Sequence, residues 1–233
     1  MKIKKAIILA AGFGKRLNPL TLEIPKPLLM VNSANLLDKT INVLKKFGVS
    51  EIFINLHYLS EKIIFYLKNN NINTKISFSN EKNKILDTGG GILNIISRFE
   101  EEAFIVLNPD TIWSEEYLKE FKDMEKFFFS QKCNNVLLVV DKQKSFDKSL
   151  KGDFNLNNNL LNRNSQSKNF IYTGAQIINK KAFNNRKIDF FSINEVWDDI
   201  ISKNTLFGFE SKNEFLHVST LDMYNKILKK FKY

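Results

Sequence analysis

The chain has one cysteine, four prolines and nine glycines among 233 residues. The lone Cys133 excludes an internal disulfide framework and any cysteine-rich zinc site. It fits a reducing compartment, and in its Lys/Asn context, with no histidine nearby, it makes no nucleophile. No stretch approaches the ~18 apolar residues of a membrane span. The start, Met1-Lys2-Ile3-Lys4-Lys5 and then Ala6 to Ala11, has the basic-then-apolar order of a secretory signal. That run is short, and Gly14-Lys15-Arg16 follows at once without a cleavage pattern, so no leader is expected and the chain reads as cytoplasmic, without a membrane partner. Zinc-finger spacing, an RNP-like aromatic strand and a long basic block are all missing, so no nucleic-acid partner is expected.

Hydrophobic residues make up 43% and charged residues 26%, ordinary values for a soluble globular chain. The net charge of +10 would suit an anionic partner, but the lysines are scattered and the excess follows a composition rich in Lys, Asn and Ile. This length can bury a core in one domain. We expect a single domain over 1–233, made of two halves, 1–145 and 146–233.

Periodicity sets the elements. Lys4 to Ala10 reads as a fully buried strand, a continuous apolar run. Gly12 to Val31 reads as one long loop punctuated by Pro and Gly. Leu36 to Phe47 has helical spacing, with Gly48 just past its end. Glu51 to Leu56 is a strand, Glu61 to Leu67 a helix, and Lys75 to Phe78 a short strand. Asp87 to Gly91 reads as a loop before a short helix, Ile92 to Ile96. Ala103 to Leu107 is a buried strand ending at Asn108-Pro109-Asp110. A helix over Glu115 to Phe129 and a strand over Val136 to Val140 follow. Strand and helix alternate up to here, which predicts right-handed crossovers and a mostly parallel sheet with helices on both faces. Beyond it, Asp153 to Leu156 and Phe170 to Ile178 read as strands joined through Asn157-Asn158-Asn159. Ser192-Ile193-Asn194-Glu195 fits a capping box opening a helix over Ile193 to Ile201. Short strands at Leu206 to Phe209 and Phe215 to Val218 precede a last helix, Thr220 to Phe231. The runs Asn69 to Asn71 and Asn157 to Asn159 read as surface turns.

The stretch Ile7 to Arg16 carries the chemistry. A buried strand breaks into small residues and two glycines, then Lys15 and Arg16, then Pro19-Leu20-Thr21 and Pro25-Lys26-Pro27-Leu28. Such a strand exit can press backbone N–H groups and cations onto phosphates. It lacks the third glycine of a dinucleotide fingerprint and the Gly-Lys-Ser/Thr of a P-loop. Arg16 offers a planar fork for phosphate oxygens, and Lys26 is a point charge held between two rigid prolines.

In these residues the chain resembles the sugar-1-phosphate nucleotidyltransferases, whose signature is Leu-Ala-Ala-Gly-x-Gly-x-Arg followed by Pro-Leu-Thr and Pro-Lys-Pro. Asp87-Thr88-Gly89-Gly90-Gly91 resembles the base-recognition loop of the branch that uridylylates N-acetylmuramate 1-phosphate. Asn108-Pro109-Asp110 sits where the family carries a metal-binding aspartate. Gly152-Asp153-Phe154 and Tyr172-Thr173-Gly174 sit where it contacts sugar, and Leu216-His217-Val218-Ser219-Thr220 resembles its Val-Asp-Val-Gly-Thr motif.

The resemblance implies a Rossmann-like, mostly parallel mixed α/β sheet flanked by helices, with a smaller β-rich sugar-binding subregion. It implies a metal-dependent enzyme joining an NTP and a sugar 1-phosphate into an NDP-sugar and pyrophosphate, as a monomer or small homo-oligomer. UTP with N-acetylmuramate 1-phosphate, in cell-wall recycling, is the first expectation, and GTP with mannose 1-phosphate the second. Arg16, Lys26 and Asp110 would be catalytic. Leu9, Ala11, Gly12, Gly14, Lys15, Arg16, Thr88, Gly89 and Gly90 would hold the nucleotide. Asn108, Gly152, Asp153, Thr173 and Gly174 would hold the sugar. Mg²⁺, with Mn²⁺ as the alternative, would sit on Asp110 and His217.

His217 departs from the family's second aspartate. It can ligate the metal, contact phosphate or be structural, and Ser219 in place of glycine is a further departure. These two residues are the only support for a catalytically weak regulatory protein of the same fold. Pro109 only stiffens its turn. With Tyr233 ending the sequence, no hexapeptide repeat and no bifunctional acetyltransferase are expected. Glu81 could orient sugar or base. His57 reads as packing, and Asp198 and Asp199 as a solvated helix face.

Overall fold

The structure, a computed structural model, describes residues 2–70, 72–82, 84–164 and 167–232. Asn71 of the Asn69 to Asn71 run and the termini Met1 and Tyr233 lie outside them. In chain order the strands are β1 (Lys5–Leu9), β2 (Met30–Val31), β3 (Ala34–Asn35), β4 (Glu51–Leu56), β5 (Lys75–Asn80), β6 (Ala103–Leu107), β7 (Asn135–Asp141), β8 (Asn155–Asn157), β9 (Leu160–Asn162), β10 (Phe170–Asn179) and β11 (Phe207–Ser211). The helices are α1 (Leu20–Glu23), α2 (Leu36–Phe47), α3 (Ser60–Asn69), α4 (Asp87–Ile96), α5 (Tyr117–Gln131), α6 (Ile193–Ile201) and α7 (Leu221–Lys230).

Among the described residues one nine-stranded sheet runs in the order β5-β4-β1-β6-β10-β7-β11-β9-β8. β5, β4, β1 and β6 pair in parallel, and β7 pairs in parallel with β11. β10 runs antiparallel between β6 and β7. A strand from the second half of the chain thus lies inside the sheet of the first. The β-rich subregion is the β8–β9 hairpin, joined to the sheet edge through β11.

The alternation along β1 explains the layers, since neighbouring side chains of a strand point to opposite faces. Ala6 and Ile8 pack with Ile41, Ile63 and Phe121, from α2, α3 and α5. Ile7 packs on the other face with Ile92 and Val196, from α4 and α6. α2 begins at Asn35, whose side chain accepts from the Asp38 N–H, and ends at Gly48 in the left-handed region at φ 105°. α6 opens with the expected capping box between Ser192 and Glu195. No described helix is long and apolar enough to cross a membrane.

Several expectations are corrected. The stretch Gly12 to Val31 is not one loop. It holds 3₁₀ turns at Lys15–Leu17 and Lys26–Leu28, the short α1, and β2. Thr21, fully buried, organises it by donating to Gly14 O at 2.9 Å. Asp87 to Gly91 is the first half of α4 rather than a loop. Gly89 and Gly90 direct their N–H groups to Phe191 O at 3.0 and 3.1 Å, which satisfies two of the donors that a helix start leaves open. The asparagine turn joins β8 to β9, not to β10. Residues 215–218 form no strand, because Phe215 bridges Ser145 while His217 bridges Thr111.

Candidate active site

The carboxyl ends of β1, β4 and β6 lie side by side, where open α/β sheets bind ligands. A cleft of about 360 Å³ opens there. Leu9, Ala11, Gly12, Gly14, Lys15, Arg16, Lys26, Thr88, Asn108 and Asp110 all line it. Asn55, Asp87 and Ser219 complete the wall.

Each wall has a local cause. Gly14 takes φ 66°, and a Cβ there would lie 3.0 Å from Thr21 Cγ2 and 3.2 Å from Lys26 Cβ. Glycine therefore lets the opening loop close over Thr21 and Lys26. Tyr58 donates its hydroxyl to Thr21 O at 3.0 Å, holding the loop from the α3 side. The apolar face of α7 packs Met223, Tyr224 and Ile227 against Leu17, Leu29 and Val31. Gly12 is different, since nothing lies within 4 Å of a Cβ placed there. Lys15 and Arg16 are exposed at the cleft mouth.

From beside the opening loop Lys26 Nζ donates to Asp110 Oδ2 at 2.6 Å, and His217 Nε2 lies 3.1 Å from the same oxygen. Val218 N–H donates to Asp110 O and Ile112 N–H to Leu216 O, both at 2.9 Å, and this pairing delivers His217 to the site. Burial opposes ionisation of Asp110, but Lys26 and His217 outweigh it and hold the carboxyl far below the usual range. An ionised carboxylate only accepts, so the His217 proton sits on Nε2. Oδ2 is taken twice, which leaves Oδ1 for a cation. One carboxylate oxygen completed by phosphate oxygens and water suits Mg²⁺, so Asp110 fits the metal role. His217 stands beside that carboxylate on the same wall of the site. Among the described residues no group of three or more His, Cys, Asp or Glu side chains could hold a metal.

Other expected site residues fall outside the cleft. Gly89 and Gly90 pack on the 189–193 segment: their Cβ atoms would meet the Phe191 ring at 2.4 Å and Asp189 O at 1.9 Å. Their N–H groups are spent on Phe191, so neither is free to read a base. Gly152 serves packing, since its Cβ would lie 2.0 Å from Lys168 O. Thr173 is buried and donates to Leu138 O at 2.8 Å, leaving no free hydroxyl proton for a sugar. Gly174, at φ 93°, passes beneath Asn108 and accepts its N–H at 2.7 Å. Asp153 Oδ2 accepts from Tyr172 N–H at 2.9 Å. Burial pushes the Asp153 carboxyl up, against that bond and the charges of Arg163, Lys168 and His217.

Three residues were not singled out as nucleotide or metal contacts. Asn55 is a polar residue at the end of a fully buried strand, which was the available signal. Asp147 accepts from Ser219 Oγ at 3.1 Å and so fixes a lining residue from behind. Asp87, quoted only within its motif, takes φ 59° and accepts the Thr88 N–H at 2.6 Å. His57 packs against Phe13, ring centroids 5.4 Å apart. Asp198 and Asp199 pair with Arg163 and Arg186. Cys133 is buried, and burial pushes its thiol up to about 11.

Known proteins resemble this chain in sequence and fold. Residues 5–148 match the family model described as Nucleotidyl transferase. The N-acetylmuramate alpha-1-phosphate uridylyltransferase of Caulobacter vibrioides is 25% identical over 92% of this chain and 91% of its own length. The D-glycero-alpha-D-manno-heptose 1-phosphate guanylyltransferase of Campylobacter jejuni is 30% identical over 77% of this chain and 78% of its own. The crystal structure of HddC from Yersinia pseudotuberculosis complexed with GMP-PN superposes with a TM-score of 0.77 at 28% identity, covering 98% of this chain and 100% of that one. UDP-glucose pyrophosphorylase, at 16% identity and a TM-score of 0.79 over 99% and 98% of the two chains, shares the fold. The family model over more than half of the residues and these relatives show that the chain belongs to the nucleotidyl transferase family of sugar-1-phosphate nucleotidyltransferases.

Proposed function

We propose that the chain transfers a uridylyl group from UTP to N-acetylmuramate 1-phosphate, releasing pyrophosphate. The observation that carries the transfer chemistry is the Lys26–Asp110 pair in the same cleft as the Gly12–Arg16 loop. The attacking group is a phosphate oxygen, already anionic, so no general base is required. The barrier lies in bringing a dianion to a polyanion in line with the α-phosphorus, and fixed cations and alignment lower it. Gly12, Gly14, Lys15 and Arg16 would receive the triphosphate. Lys26 would meet the α-phosphate or the incoming sugar phosphate. Asp110 would hold Mg²⁺ through Oδ1, and the ion would neutralise phosphate charge there. His217 would keep Asp110 oriented.

Support for the uridylyl reading comes from the Caulobacter relative, which aligns over nearly the whole of both chains. Guanylyl transfer to a heptose or mannose 1-phosphate is the second reading, favoured by the likeness to HddC. Incubating the enzyme with UTP, GTP, CTP and dTTP against a panel of sugar 1-phosphates, with mass detection of the NDP-sugar, tests both. UDP-N-acetylmuramate is expected as the main product. A GDP-sugar formed in preference to every UDP-sugar would overturn the uridylyl reading.

A further inference from the structure

Behind the cleft lies a buried polar relay. Ala10 N–H donates to Asn55 Oδ1 at 2.7 Å. Asn55 Nδ2 donates to Glu81 Oε1 at 2.9 Å. Glu81 Oε2 accepts from Leu86 N–H at 2.8 Å. Asn55 is 3% exposed and Glu81 4%, and no cation pairs with Glu81 among the described residues. A buried carboxylate without a cation is costly, so its retention asks for a reason.

Polarity supplies one. Both ends of the relay are backbone N–H groups, which can only donate. Ala10 therefore demands the Asn55 oxygen, and this turns the Asn55 NH₂ toward residue 81. Residue 81 must then accept there and accept again from Leu86. A carboxylate accepts on both oxygens, whereas a carboxamide of the same size accepts on one. Gly91 belongs to the same device: a Cβ there would lie 2.8 Å from Asn55 Nδ2 and 2.9 Å from Glu81 Oε1. The third glycine of the Asp87 to Gly91 motif thus leaves room for this hydrogen bond.

The relay joins the two walls of the cleft. Ala10 begins the loop that carries Gly12 to Arg16. Leu86 immediately precedes α4, whose first residues Asp87 and Thr88 line the other side. Glu81 is also fixed to β4 by its own N–H, which donates to Leu56 O at 2.8 Å. We propose that Glu81 is a positioning residue which, through Asn55, sets the separation of the phosphate loop from the start of α4 and so shapes the site for a nucleoside triphosphate. It acts through these bonds and not by touching the base. The inference rests on the reading of this cleft as the nucleotide site.

A polarity swap tests it. Glu81→Gln sets an NH₂ against Asn55 Nδ2 or against Leu86 N–H. Asn55→Asp sets one carboxylate against another. In the double variant Asn55→Asp/Glu81→Gln the carboxylate at 55 accepts from Ala10 and from the carboxamide at 81, whose oxygen accepts from Leu86. Every bond is remade with one donor reversed and the net charge unchanged. Titration calorimetry with UTP and with GTP, and thermal melting, would be run on all four chains. Each single variant is expected to bind its NTP about tenfold more weakly or worse, and the double variant to return to within about threefold of wild type. Single variants that bind like wild type, or a double variant as weak as Glu81→Gln or unfolded, would overturn the relay. A wild-type chain that binds neither UTP nor GTP would instead overturn the nucleotide-site reading on which it stands.

Discussion

Asp110 shows how one carboxylate can serve a phosphate-transfer site. Its Oδ2 binds Lys26 at 2.6 Å and His217 at 3.1 Å, so the residue stays charged and aimed. A carboxylate whose pKa is depressed in the folded state adds stability above its unfolded value and loses it only as pH falls through the folded value. For Asp110 that window lies in strong acid, so the pair is intact at every pH of practical use. Asp153 has the opposite sign. Burial raises its pKa above the ordinary 3.8, so its contribution is complete below that value and is lost as pH rises through the raised one. Asn in its place still accepts the Tyr172 N–H but carries no buried charge. Asp153→Asn should therefore melt higher than wild type at pH 7, with the difference vanishing near pH 4. A melting series across that range checks it, and a constant difference would contradict the assignment. Lys26, Arg16 and Asp110 could be proposed for the site from the sequence, the first two from cations set between prolines or after a glycine strand exit and Asp110 through the family resemblance, and the structure places all three in one cleft. The roles of Thr173 and Gly152 were not readable, because whether a hydroxyl or a glycine serves a ligand or the backbone depends on what packs beside it.

The two glycine segments behave differently as elements. In the opening loop Gly12 faces open space in the cleft. At the start of α4 glycine clears a path for the 189–193 segment of the protein itself. A methyl at Gly90 would meet a backbone oxygen, Asp189 O, at 1.9 Å, and neither side can yield without moving main chain. Gly90→Ala is expected to cost about 1–3 kcal/mol and lower the melting temperature by several degrees. Gly12→Ala, with nothing within 4 Å of the new Cβ, should leave melting within about 2 °C of wild type. It should still raise the KM for the NTP about tenfold or more by crowding the cleft. Equal melting losses in both variants would contradict the distinction. The same contrast marks what the sequence could convey. The limits of α2, β4 and α6 follow from local signals, namely a cap, a continuous apolar run and a capping box. The helical state of Asp87 to Gly91 does not, because three glycines oppose a helix on propensity and the N–H groups of Gly89 and Gly90 find their acceptor in Phe191, about a hundred residues away.

For the whole molecule, the alternation of strand and helix up to β7 was enough to anticipate a largely parallel sheet with helices on both faces. The insertion of β10 between β6 and β7 was not, since pairing order over long separations leaves no periodic trace. That insertion matters for function. β10 brings Gly174 beneath Asn108 and Thr173 O onto Thr111 Oγ1, at 2.5 Å, so the second half of the chain sets the wall that carries Asp110. The later segment 216–218 then adds His217. The candidate site is assembled from both halves around one cleft, and the chemistry proposed for it is electrostatic alignment of two phosphates. The most direct test measures pyrophosphate and NDP-sugar together, from UTP and N-acetylmuramate 1-phosphate with Mg²⁺, for wild type and Lys26→Ala. The account predicts equal amounts of the two products from wild type, and a rate lower by about a hundredfold or more in Lys26→Ala, in a chain that melts lower because Asp110 loses its cation but is still folded at the assay temperature. No pyrophosphate with any NTP and sugar 1-phosphate pair, or an undiminished rate in Lys26→Ala, would contradict it.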